Sequence, residues 1–268
     1  MYTLENLCRD IALPDEVIQQ ILTLDKTISV PTYKLRREES WEEGLKELED
    51  ALAPDPDGFK MLTCQLNGAL DCREDFNRLG FSQEIYVDTM KCFSRFVGEH
   101  MVSFGRYGFD RGFWTVRQIS AKLFRIGVLE YEVVVDEEGQ KAVSIHIPSD
   151  AKLEKELLRQ SYLDAKKLLP PAFPEFADAP WACGSWLLAP ILREMLPENS
   201  RILTFQSGFR ILKTYPDPEF KEWVYKRVDI PDAELPEDTS LQRKLKAYLL
   251  SGNSFHSGMG MLIDEPYV

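Results

Sequence analysis

Up to about residue 105 the apolar positions recur at the spacing of one helix face. Val17, Ile18, Ile21 and Leu22 form one stripe behind Pro14, which suits a first helical turn. Ser40 and Glu43 have the spacing of a capping box ahead of Leu45, Leu48 and Leu52. Phe59, Leu62, Leu66 and Leu70 predict another helix. Gly80 predicts a stop and Ser82 a new cap; Tyr86, Met90, Phe93, Val97 and Met101 then line a long helix. The segment 105–112, GRYGFDRG, holds three glycines and predicts a break between a helical part, 1–112, and a second part, 113–268. FWTVRQISAKLFRIG, which follows, predicts a helix ending near Gly127.

Beyond Gly127 the period changes to two. Leu129, Tyr131, Val133 and Val135 alternate with Glu130, Glu132 and Val134. DEEGQ (136–140) is a turn, and Val143, Ile145 and Ile147 alternate with Ser144 and His146, which predicts a β-hairpin. Matching apolar faces is satisfied by Tyr131 opposite Ile145 and Val133 opposite Val143, hence Glu130 opposite His146 and Glu132 opposite Ser144; registers shifted by two residues would also keep the faces but break this pair. Cross-strand partners of this kind are within hydrogen-bonding reach. A helix is expected over 153–169, stopped by LPPAFP. WACGSW predicts a strand, ILREML a short helix, and RILTFQSGFRILKTYP and KEWVYKRVDI two strands, with a bulge at Gln206 and Ser207. Thr239 and Gln242 form a capping-box pair before SLQRKLKAYLL, and SGNSFHSGMGMLI is a glycine loop running into a strand.

Composition narrows the function. The 268 residues carry a formal net charge of −12. Nucleic acid and anionic membrane both require positive charge, so neither is an expected partner. No apolar run reaches membrane-spanning length and the start lacks a signal-peptide pattern. The five cysteines, at 8, 64, 72, 92 and 183, are odd in number and include no CxxC pair. They read as reduced thiols of a cytoplasmic protein. His100, His146 and His256 show no zinc-ligand spacing with them, so no metal is expected.

Four groups of side chains carry candidate chemistry. His146 with Glu130 across the hairpin is an acid–base pair; either is a candidate base. Cys183 is a candidate nucleophile with His146 assisting, or inert packing, and Ser185 is a weaker one. Trp181 and Trp186 belong to the core or edge a substrate pocket, with Ser185 beside them. Trp114, Arg117 and Gln118 share one helix face, where the Arg117 guanidinium suits a phosphate, a carboxylate or an ion pair between the two parts. The glycines of GNSFHSGMG read as a phosphate loop or as a plain helix stop and loop.

RQISAKLFRIGVLEYEV, VSIHIPSDAKL, ACGSWLLAPILREMLPENSRILTFQSGF and TSLQRKLKAYLL together resemble a family of bacterial acyltransferase-domain proteins. That family pairs a helical N-acyltransferase N-terminal domain with a GNAT-like C-terminal domain, the fold of the Gcn5-related N-acetyltransferases. The resemblance implies an α+β chain: a helical N-terminal domain followed by a GNAT-like mixed β-sheet with flanking helices. It implies transfer of an acyl group from acetyl-CoA or a longer acyl-CoA to an amine acceptor by direct attack. By position, HIPSDAKLEKE would hold the CoA, with Ile147, Ser149 and Lys152 and with Arg117 on a phosphate, while Trp114, Gln118, Ser185 and Trp186 would border the acceptor. The loop PSDAKLEKE has no glycine where such enzymes place several. This favours the alternative of a non-catalytic GNAT-like ligand- or protein-binding protein. A thioester route through Cys183, His146 and Glu130 is the third reading.

Overall fold

The computed structural model describes residues 2–28, 32–227 and 229–267. The chain divides into two compact units, one of residues 1–126 with 171–173 and one of 127–170 with 174–268.

The first unit is helical: α1 (Leu4–Asp10), α2 (Asp15–Leu24), α3 (Trp41–Leu52), α4 (Phe59–Arg78), α5 (Gln83–Phe104) and α6 (Gly112–Ile119), closed by the short strand β1 (Leu123–Ile126). Of the stripes read from the sequence, Phe59, Leu62 and Leu66 of α4 and Tyr86, Met90, Phe93 and Val97 of α5 are buried, joined by Phe76, whereas Leu70 and Met101 are only partly buried. Tyr86 donates its hydroxyl to the Ala69 carbonyl at 3.0 Å and meets Phe76 edge to face at 5.4 Å. Ser82 caps α5 by accepting from the Ile85 N–H. Ser40 does not cap α3: its hydroxyl donates to the Lys34 carbonyl at 2.8 Å instead, tying α3 to the single turn Tyr33–Arg36.

The helix expected up to Gly127 ends at Ile119. Ala121 adopts φ +53°, the Lys122 N–H bonds back to the Arg117 carbonyl and the Ala121 N–H to that of Gln118. This is a Schellman closure with alanine where glycine is usual, so the stop had no sequence signal. Leu123–Ile126 is then free to be a strand, with the Arg125 N–H held by Thr89 Oγ1 of α5 at 2.9 Å.

The second unit holds β2 (Leu129–Val135), β3 (Lys141–His146), α7 (Lys155–Ala172), β4 (Trp181–Ser185), α8 (Leu192–Met195), α9 (Arg201–Ser207), β5 (Phe209–Pro216), α10 (Phe220–Tyr225), α11 (Ser240–Leu250) and β6 (His256–Leu262). These strands lie in the order β2-β3-β4-β6-β5, antiparallel except for the parallel pair β3–β4. α7 is the crossover that a parallel pair requires. The predicted hairpin register is the observed one, Glu130↔His146 through Val133↔Val143. Tyr131, Val133, Val143, Ile145, Trp181 and Cys183 make one buried face. There Tyr131 Oη lies 3.0 Å from Ser161 Oγ of α7, and Trp181 meets the rings of Tyr131 and Tyr162.

Three further expectations change. RILTFQSGFRILKTYP is two elements: Ser200 caps α9, and β5 begins after Gly208. Gln206 is therefore a buried helix residue, donating to the Leu187 and Ala189 carbonyls, and the bulge falls between Ile211 and Lys213. The first half of KEWVYKRVDI is helix and not strand; Phe220 and Tyr225 of α10 pack into an apolar cluster with Leu192, Leu235, Leu245 and Phe255. α7 continues past residue 169 and carries Pro170 and Pro171 in its last turn, where only that turn's bonds are lost. Thr239 and Gln242 do form a capping box on α11.

Candidate active site

The parallel pair β3–β4 is the feature around which a site can form. Its ladder contains only Val143↔Trp181 and Ser144↔Ala182. Beyond it β3 stays bound to β2 through Tyr131↔Ile145 and Glu130↔His146, and β4 stays bound to β6 through Cys183↔Gly260, Gly184↔Met259 and Ser185↔Gly258. Residues 145–146 and 183–185 thus border an opening in the β3–β4 ladder, where backbone pairing between the two strands has stopped, the kind of edge to which an extended ligand can add.

His146 ends β3 at this opening. Its Nε2 meets Glu132 Oε2 at 2.8 Å, with the imidazole 23% and the carboxylate 8% exposed. The sequence pointed to Glu130, which is buried directly opposite His146. The diagonal neighbour on the same face, Glu132, engages the ring at hydrogen-bond distance. Alternation put Glu130, Glu132, Ser144 and His146 on that face, and diagonal partners remain within reach of long side chains. That rule was the available signal for Glu132. A carboxylate on one imidazole nitrogen fixes the orientation and tautomer of the ring.

Cys183 is not brought to His146. It is fully buried, and the register places it on the opposite sheet face, in line with Ile145. Burial pushes its thiol far above the ordinary range, which suppresses the thiolate a nucleophile needs. On the His146 face the corresponding β4 position is Gly184, exposed and unnamed by the sequence reading. A side chain there would meet Met259 Cε at 3.0 Å and the Tyr215 hydroxyl at 3.3 Å, so the glycine keeps this wall open.

The other candidates are spread out. Ile147, Ser149 and Lys152 lie in the irregular segment 147–154 between β3 and α7, with Ser149 and Lys152 exposed. Ser185 Oγ accepts from the Leu187 N–H at 3.2 Å and so caps the single turn Trp186–Leu188; Trp186 packs on the apolar cluster of α8, α10 and α11. Trp114, Arg117 and Gln118 belong to the first unit. There the Arg117 guanidinium stacks over Trp114 at 4.4 Å, and the Gln118 amide is buried near the Trp114 and Thr115 carbonyls. The glycines of GNSFHSGMG divide between a left-handed stop at Gly252 after α11 and close packing within β6, where Gly258 lies against the Leu188 backbone. Among the described residues no group of three or more His, Cys, Asp or Glu could hold a metal ion, and no helix is long and apolar enough to cross a membrane.

A family model described as a GNAT-like C-terminal domain matches residues 123–262, and one described as an N-acyltransferase N-terminal domain matches residues 2–121. No curated protein matches the chain significantly. Among solved structures, an acyltransferase in complex with decanoyl-CoA and teicoplanin superposes with a TM-score of 0.81 at 21% identity, over 96% of this chain and 86% of that one. An acyltransferase with CoA and 10C-teicoplanin gives 0.78 at 20% identity, and one with decanoyl-CoA gives 0.75 at 20%, both over the same shares. At such identities the likeness is one of fold.

Proposed function

The chain belongs to the family that joins an N-acyltransferase N-terminal domain to a GNAT-like C-terminal domain, and from that premise we propose that it transfers an acyl group from acyl-CoA to an amine on a small molecule. The observation that carries the proposal is the opening between β3 and β4 with the His146–Glu132 pair at its edge. The amide-bearing arm of an acyl-CoA would enter that opening as a short strand and bring its thioester carbonyl to the end of β3. Backbone N–H groups at the opening would stabilise the oxyanion that forms when the amine attacks. His146, oriented by Glu132, would take the proton of the attacking amine, and CoA would leave as its thiolate. Glu130, buried on the same face, is the alternative base.

Segment 147–154, with Ile147, Ser149 and Lys152, would carry the phosphates ahead of α7. Its lack of glycine favours a second reading, a GNAT-like protein that binds a ligand without turnover. The solved acyltransferases of like fold hold decanoyl-CoA or CoA, two of them with teicoplanin or 10C-teicoplanin, which supports acyl-CoA as donor and a small molecule as acceptor.

The test titrates the chain with acetyl-CoA, octanoyl-CoA and decanoyl-CoA by calorimetry, then follows release of the CoA thiol with a panel of amines, including amino sugars and aminated glycopeptides. Saturable binding with amine-dependent thiol release is expected. Binding without release from any amine would favour the non-catalytic reading, and no binding of any acyl-CoA would end both.

A further inference from the structure

Outside this site, the first unit contains a cavity of about 580 Å³, a size suited to a small-molecule ligand. Arg36, Arg37, Arg78 and Lys122 line it, against a single lining carboxylate among the described residues, Asp75. Such a concentration of cations is unexpected in a chain of net charge −12. It is built by three separate elements. Arg36 ends the turn Tyr33–Arg36, Arg78 ends α4, and Lys122 follows the Schellman closure of α6.

Asp75 is shared, ion-paired with both Arg36 and Arg78. One carboxylate offers few acceptor sites to two guanidinium groups with five N–H donors each, so donors remain for a ligand. Lys122 meets Glu38 at 3.5 Å, and Arg37 is exposed. The remaining wall includes the rings of Tyr33 and Phe173.

We propose that this cavity binds a phosphate-bearing ligand. A single carboxylate on the ligand would leave most of the cationic wall unmatched. A phosphate or diphosphate supplies several anionic oxygens, and the arginine fork fits them two at a time. The positive wall in a negative chain focuses the field on the cavity. The two rings give a nucleoside base an apolar face. The ligand's phosphates come from a free phosphorylated metabolite or from CoA itself. The site stands on its own residues, so it does not depend on the acyl-transfer reading.

The experiment titrates the full chain with inorganic pyrophosphate, adenosine 3′,5′-bisphosphate and CoA by calorimetry, and repeats this with Arg37→Glu/Lys122→Glu. Neither side chain is in the apolar core, and an unchanged unfolding midpoint verifies the fold. Arg37→Ala serves as the milder variant. Saturable binding of pyrophosphate and of the bisphosphate is expected, weakened at least about tenfold by the double reversal, about threefold by Arg37→Ala, and by added salt. CoA weakened by the same factor identifies CoA as the occupant, whereas unchanged CoA affinity identifies a separate phosphorylated ligand; both support the site. No saturable binding of pyrophosphate or the bisphosphate, or equal affinity in the double variant, would overturn it.

Discussion

Two glycines on one face of β6 give a sharp test of the sheet that frames the site. A Cβ added at Gly258 would lie 2.3 Å from the Leu188 carbonyl oxygen and 2.8 Å from its carbon. Ordinary contact requires a retreat of about 1 Å, and the obstacle is backbone, which cannot rotate away. Gly258 pairs with Ser185 at the end of β4, so the movement would pull on the β4–β6 ladder beside the opening. Overpacking of this kind costs about 1–3 kcal/mol, and each backbone bond it weakens adds about 1 kcal/mol, so Gly258→Ala should lose about 3–4 kcal/mol. At Gly260 the neighbours are Phe209 Cβ at 3.1 Å and the methyl ends of Leu188 and Ile211 at 3.2 and 3.3 Å. Methyl ends give way by a few tenths of an ångström, and losing a glycine stiffens the unfolded chain by about 0.4–1 kcal/mol. Gly260→Ala should therefore change stability by less than about 1 kcal/mol. Urea unfolding followed by tryptophan fluorescence measures both, as midpoint shifts at constant slope. If Gly258→Ala falls within about 1 kcal/mol of Gly260→Ala, the close approach of Leu188 is wrong and the argument fails.

Other consequences are checkable with the same protein. His146→Ala should lower kcat/KM for amine acylation by about 10²–10⁴ and Glu132→Gln by about tenfold, with the double variant no worse than His146→Ala; multiplying effects would show that the two do not act as a unit. Cys183→Ala should leave transfer within about twofold while lowering stability by about 1–2 kcal/mol, whereas abolished transfer would reinstate a thioester route. Stability should fall as pH rises above about 9. Burial pushes the Cys64 thiol up to about 11 and the Cys8 thiol up to about 12, against an ordinary 9.0, so the folded state holds protons that the unfolded chain has released. Their contribution is complete below pH 9 and is lost as pH rises through the folded values, each thiol adding a slope of about 1.4 kcal/mol per pH unit. Urea midpoints at pH 8 and 10 measure this, and Cys64→Ala should flatten the slope; an unaltered slope would refute the attribution to that thiol.

The sequence by itself determined the local elements whose patterns are self-contained. The stripes of α4 and α5, the Ser82 and Thr239 caps, and the facing of the β2–β3 hairpin follow from side-chain period and capping chemistry, because a buried face excludes any one-residue slip, while the structure chose among the registers that keep the faces. Where the deciding partner is distant in sequence, the reading failed. Phe220 and Tyr225 sit in a helix because α8 and α11 supply an apolar surface, and α6 stops at an alanine that carries no glycine signal. The site divides in the same way. The strand face bearing His146, Glu130 and Glu132 was legible, whereas the diagonal contact of Glu132 with the ring depends on side-chain reach across a twisted sheet. The separation of Cys183 from His146 depends on the parallel register that α7 imposes on β3 and β4. The point at which β3–β4 pairing stops, while β2 and β6 still hold the two strands from outside, involves partners distant in sequence and is not encoded in any one stretch.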